Sequence, residues 1–369
     1  MRIVSASLAI ITSASLALTS LPGAEPVAVL PEFAQDKVDV AVEKGVNYLV
    51  RVQNRTGYFQ DKGKSKEVAL TALALMAMAS VGNMPSDYTP QGKSMERGLN
   101  YILRPGDMSR DTLGGYFGRR DSSDMYGHGI ITLALTEFLG MGKDKAQDNL
   151  IRDRAVRGIK VILEAQKVRK NNPKFVGGWR YSPKSSDSDL SVSVWQLMAL
   201  RSANNAGLHV PPEAIQQAAA YLRRSYFSER DRQTGRPLRP ISGFSYTPGS
   251  SPSFAMTAAG MLALQVVGAY NLPEVEGAAK WLLNQNLTYK ESYFFYGSYY
   301  YSQGLKKMGG EYADHARRTI ETILLSNQQD DGAWLAGNGK EGGLGKVYST
   351  SFAILCLSVK HGFLPIYQD

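Results

Sequence analysis

Asp187 and Asp189 stand one residue apart in the stretch "WRYSPKSSDSDLSVSVW" (179–195), between an aromatic loop and an apolar run of helical character. Such a pair can serve as an acid. Burial raises a carboxyl pKa, and a second carboxylate nearby raises it further by opposing double ionisation. The same residues can equally be architecture: Asp and Ser are preferred helix N-caps, and a helix N-terminus favours the anion over the acid. Residue type alone leaves both uses open.

An earlier stretch, "GGYFGRRDSSDMYGHGIITLAL" (114–135), repeats that loop-to-helix layout. The parallel places Asp121, Asp124 and His128 at the same mouth of the fold as Asp187 and Asp189. His128 is then the histidine best placed to orient an acid, the alternative being a satisfied structural imidazole. His209 and His361 fall in turns at helix ends. Aromatic residues form a second set of binding candidates: Trp179 in the loop, Tyr126 and Trp195 on the apolar runs, and Tyr296 and Tyr299 in the dense run "YFFYGSYYY" (293–301). Their π-faces could stabilise a cation, or the stripe could simply be core. Tyrosine hydroxyls would also suit a sugar-binding wall.

A repeated two-helix unit must position these groups. Its first helix is readable in "KGVNYLVRVQ", "RGLNYILRP", "RGIKVILEAQ", "QAAAYLRRS", "GAAKWLLNQ" and "RTIETILLSNQ". Anchors at Tyr48, Tyr101, Val161, Tyr221, Trp281 and Thr322 give spacings of 53, 60, 60, 60 and 41. A turn with glycine and an aromatic follows, as in Gly57-Tyr58, Gly115-Tyr116, Gly178-Trp179, Gly243-Phe244 and Gly332-Ala333-Trp334; the fifth unit has Tyr293 and Phe294 without the glycine. The second helix, as in "VALTALALMAMAS" and "FAMTAAGMLALQVVG", is apolar on most faces. One-sided helices lie outside and all-round apolar helices lie inside, so the pattern predicts two concentric layers. An open stack needs polar end units, yet the first and last units are as hydrophobic as the middle ones. Ring closure resolves this. The expected fold is all-α, an α/α toroid of about six helical hairpins forming one domain over residues 32–369.

Hydrophobic residues at 43% and charged residues at 20% fit a globular chain. The net charge of +9 is unevenly spread, and Arg223, Arg224, Arg230, Arg232, Arg236 and Arg239 crowd the segment "RRSYFSERDRQTGRPLRP" (223–240). That segment could meet phosphate, carboxylate or an anionic membrane surface, or be a solvated, salt-bridged loop. Cys356 is the only cysteine, which rules out an intrachain disulfide. Arg2, the apolar Ser/Ala-rich stretch from Ile3 to Leu21, and Pro22 form a signal-peptide pattern over residues 1–24. Export to a periplasmic or extracellular space is expected, and nucleic acid is not an expected partner.

The chain resembles the terpene cyclase and protein prenyltransferase superfamily, whose members share an α/α toroid. The resemblance rests on "GVNYLVRVQNRTGYF" and, more closely, on "ILLSNQQDDGAW" with Gln328, Asp331, Gly332 and Trp334. In that family such Gln–Trp repeats tie neighbouring hairpins together. Squalene-cyclase-like members carry Asp-x-Asp-Asp followed by Thr or Cys after a Gly-Gly-Trp loop. Here Asp187 matches the first position and Asp189 the proton donor, while Leu190 replaces the third acid and Ser191 follows. The resemblance implies a class II cyclase, an isomerase protonating a polyisoprenoid through Asp189, with Asp187 and His128 in support and no cofactor. The family's zinc site needs Asp-x-Cys, but Ile354 stands two residues before Cys356; no metal site is expected. Two other readings stay open: a non-catalytic toroid binding a hydrophobic, isoprenoid-like or anionic small molecule, and a polysaccharide lyase-like enzyme using Arg180 or the Arg223–Arg239 segment against uronate.

Overall fold

The computed structural model describes residues 36–59, 66–104, 114–337 and 340–368. The expected export signal, residues 1–24, lies outside the described residues. The chain separates into Met1–Asp36 and Lys37–Asp369, and the twelve α-helices of the described residues all belong to the larger unit. They form six hairpins: α1 (Lys37–Val52) with α2 (Glu67–Ala79), α3 (Pro90–Leu103) with α4 (Asp124–Glu137), α5 (Lys145–Gln166) with α6 (Leu190–Asn205), α7 (Pro212–Ser225) with α8 (Phe254–Val266), α9 (Pro273–Leu283) with α10 (Phe294–Met308), and α11 (Gly310–Leu325) with α12 (Gly345–Leu357).

The two helix types behave as their sequences dictate. In α1 the buried apolar residues Val38, Ala41, Val42, Val46 and Leu49 recur at helical spacing, leaving a wet outer face. In α2 every residue after Glu67 is buried, and in α8 every residue is. The inner helices pack in the order α2, α4, α6, α8, α10, α12, and α12 packs back on α2. Outside them, α1 touches both α3 and α11. The ring is closed.

One side-chain clasp recurs around it. The Gln53 amide donates to Gly57 O in its own turn (2.9 Å) and to Ser94 O on the next outer helix (2.8 Å). Gln166 does the same to Gly177 O (3.0 Å) and Ala214 O (2.9 Å). Gln328 donates to Gly332 O (2.9 Å) and to Ala41 O (2.8 Å), joining the last unit to the first. Glycine is required in that turn on two counts. Gly332 has φ +84, and a Cβ there would lie 2.5 Å from Lys44 O. The turn's tryptophan completes the joint, with Trp334 Nε1 donating to Leu324 O and Trp179 Nε1 to Ile162 O, both at 2.8 Å.

Four of the inner helices begin against the next unit's loop. Asp121 Oδ2 accepts from Val68 N and Ala69 N of α2. Met125 N of α4 donates to Tyr181 O, and Leu190 N of α6 donates to Tyr246 O. Glu341 accepts from Phe295 N and Tyr296 N of α10. The N-termini of the inner helices therefore gather at one mouth, where orphan N–H groups need acceptors.

Because Gln328 bonds two carbonyls at the seam, Gln328→Ala should lower unfolding free energy by about 1–3 kcal/mol. Gln53→Ala, at the equivalent joint within the chain, should cost a similar amount. Urea denaturation of both variants checks this.

Candidate functional site

The loops before α4 and α6 meet at the N-terminal mouth, so Asp124, Asp187 and Asp189 occupy one region. Their environments differ. Asp189 is fully buried. Its extended backbone pairs with Trp179, its N–H donating to Trp179 O at 2.9 Å, and its Oδ1 accepts from Val192 N at 2.8 Å. It is the N-cap of α6. Oδ2 accepts no hydrogen bond of normal geometry and faces Arg180 Nε at 3.6 Å. Asp187 stands at the rim, its side chain 41% exposed and 3.6 Å from the same Nε. Asp124 is exposed at the start of α4, with φ +56.

Burial dominates the Asp189 carboxyl and raises its pKa to about 6. The Val192 N–H, Arg180 and the Tyr246 hydroxyl oppose the shift, while Asp187 adds slightly to it. At neutral pH the anion still predominates. Leu190, in the third motif position, is fully buried; it neither accepts a hydrogen bond nor raises the donor's pKa by like charge.

Arg180 lies over the rings of Tyr181 (5.1 Å) and Tyr246 (5.6 Å), whose hydroxyls meet at 2.6 Å. Lys170 Nζ donates to the backbone oxygens of Ser185 and Asp187. Among these, Tyr181 and Tyr246 carried no sequence signal, since they converge from loops 65 residues apart.

His128 does not join this group. Its Nδ1 accepts from Phe117 N at 3.2 Å and its Nε2 contacts Gly158 O of α5 at 3.1 Å. The ring stacks on Phe117 and is fully buried between the layers. In the first, third, fourth and last units the corresponding N–H is taken by Thr71, Ser193, Thr257 and Thr350 Oγ. His128 is thus a longer version of a repeated hydroxyl bracket, and the expectation that it orients Asp189 is corrected. Trp179 is likewise a joint residue, buried with its N–H committed.

Side chains fill the axis. Trp195 stacks on Tyr299 (6.0 Å, 9° between planes) and meets Tyr300 edge-on at 5.9 Å. Tyr126 and Tyr296 each lie 6.5 Å from Trp195, and Phe352 lies 5.5 Å from Tyr299. Ser191 Oγ bonds the hydroxyls of Tyr126 (3.1 Å) and Tyr296 (3.0 Å). Tyr367, from the C-terminal turn, bonds Tyr299 at the far end of the cluster. Burial pushes the Tyr126, Tyr296 and Tyr300 hydroxyls above the ordinary phenol range, which keeps them protonated. The predicted binding aromatics Trp195, Tyr126, Tyr296 and Tyr299 do come together, as packed core.

Much of the basic segment is structural. Arg223 and Arg230 pair with the buried Glu274 at 2.9 and 2.8 Å, and Arg239 lies over Phe227.

No protein-family model matches the chain, and no curated protein matches it. Solved structures do. Two structures of the type II terpene cyclase MstE from Scytonema, in complex with geranylgeranyl dihydroxybenzoate, align at TM-scores of 0.53 and 0.55. They share 13% and 14% identity and cover 89% of this chain and 98% of theirs. The GH76A α-1,6-mannanase from Salegentibacter aligns at a TM-score of 0.56 with 10% identity, over 89% of this chain and all of its own. The chain has their α/α-toroid fold. At such identities the likeness extends to the fold alone.

Asp189→Ala should cost about 0.5–2 kcal/mol, and Asp189→Asn much less, since Asn also caps. The unfolded carboxyl titrates near 3.8, so up to about pH 6 the folded chain holds a proton that the unfolded chain has lost. The Asp189 contribution to stability therefore falls as pH rises through that window. Asp189→Asn should gain stability relative to wild type between those limits, as read by urea unfolding across pH.

Proposed function

We propose that this chain is a ligand-binding toroid that does not cyclise isoprenoids. The observation that carries the reading is the use made of Asp189. The residue matched to the alkene-protonating acid is a helix cap beside Arg180, and it is mostly ionised at neutral pH. Protonating an alkene needs a strong, protonated acid held against open space, and here the adjoining axis is packed with Tyr126, Trp195 and Tyr296. The surface left for a ligand is the mouth itself, where Arg180, Tyr181, Tyr246 and Asp187 present charge beside aromatic faces. That combination suits an isoprenoid-like or other apolar molecule carrying a polar or anionic end.

A cyclase reading keeps two supporting observations. Oδ2 of Asp189 is buried without a hydrogen bond of normal geometry, and burial has raised the carboxyl's pKa. The fold is also that of a type II terpene cyclase seen with its geranylgeranyl substrate.

Incubation with squalene and with geranylgeranyl substrates, followed by mass spectrometry of the extract, separates the two. The binding reading expects no cyclised product from wild type, together with an unmodified small molecule co-extracted from the purified protein. Cyclised product that disappears in Asp189→Asn would reverse the conclusion.

A further inference from the structure

The opposite mouth, where the inner helices end, holds a cavity of about 450 Å³. Its lining includes Arg201 and Asn205 of α6, Val266 of α8, Lys307 of α10, and Ile366 and Gln368 of the C-terminal turn. Arg201 is the unexplained residue. Its Nε has no solvent exposure and no hydrogen-bond acceptor. Its side chain makes no hydrogen bond and no ion pair among the described residues. A guanidinium cannot shed its charge and carries five N–H donors. Arg201 is half-buried, but its Nε–H is shut off from water without an acceptor, and native structures rarely leave a buried N–H so without reason.

Among the described residues, neighbouring groups do not supply the missing acceptor. Glu137, the buried acid next to this wall, takes the Ser202 hydroxyl and Ile366 N. Lys307 adds a second cation; its Nζ donates to Tyr367 O at 3.3 Å and lies 5.9 Å from the Tyr270 ring. Val266 and Ile366 give the cavity an apolar wall beside the two charges.

We propose that this cavity binds a small organic anion, a carboxylate or phosphate monoester with a compact apolar body, its head group on Arg201 and Lys307. Arg201 would engage the head group through paired N–H donors, the geometry in which guanidinium binds such oxyanions. The site lies at the other end of the ring from Asp189 and does not depend on the reading of the N-terminal mouth.

Calorimetric titration of the full chain with phenyl phosphate, benzoate and neutral benzyl alcohol tests it. Wild type should bind one anion per chain saturably and benzyl alcohol not at all, and the preferred anion identifies the head group. Arg201→Gln should weaken binding by about tenfold or more, the loss of a charge-assisted bond. Without ligand, that variant should melt close to wild type, because Arg201 makes no hydrogen bond or ion pair among the described residues for the substitution to break. Should Arg201→Gln not fold, Lys307→Gln and the anion-dependent rise in wild-type melting temperature give the same reading. Absence of saturable binding of either anion to wild type, or unchanged affinity in Arg201→Gln, overturns the proposal.

Discussion

An inner helix apolar on every face needs a neighbour on both sides, and this requirement shapes the whole molecule. Six such helices in an open row would leave α2 and α12 each with a naked face. Closing the row lets α12 cover α2. Gln328 fixes the seam by reaching Ala41 O across 287 residues of sequence, with the same two bonds that Gln53 and Gln166 make within the chain. Closure therefore uses the ordinary joint of the repeat rather than a special device.

Closure by identical hairpins also collects the inner-helix N-termini at one mouth. That mouth is rich in unmet N–H groups and favours anions. Asp121 and Glu341 each cap the helix of the preceding unit, and Asp189 caps its own. The acids that look like catalytic apparatus in the sequence are thus answers to a problem the architecture creates. Asp189 differs from the others in having a second oxygen left over, and Arg180 takes its charge.

The repeat, the two layers and the cap on α6 were legible in the sequence because each depends on local spacing, and the Gln–Trp joints were legible through the family resemblance. What escaped depends on contacts between units. His128 reads as a candidate acid partner until Thr71, Thr257 and Thr350 are seen in the same bracket. The filled axis escaped because an all-round apolar helix does not reveal which face points inward, so Trp195, Tyr296 and Tyr299 could have lined a cavity or packed one another. Glu341 and Tyr246 gave no signal, since their partners come from other units. Arg201 stood unnoticed within an apolar helix, where only a full account of hydrogen bonds sets it apart.

Hydrogen exchange monitored by mass spectrometry tests ring closure most directly. A closed ring has no end units, so amides of α2 and α12 should be protected as strongly as those of α4 and α6, and should be lost in the same global opening. Fast exchange confined to the first and last hairpins, the fraying expected of an open repeat stack, would contradict the account.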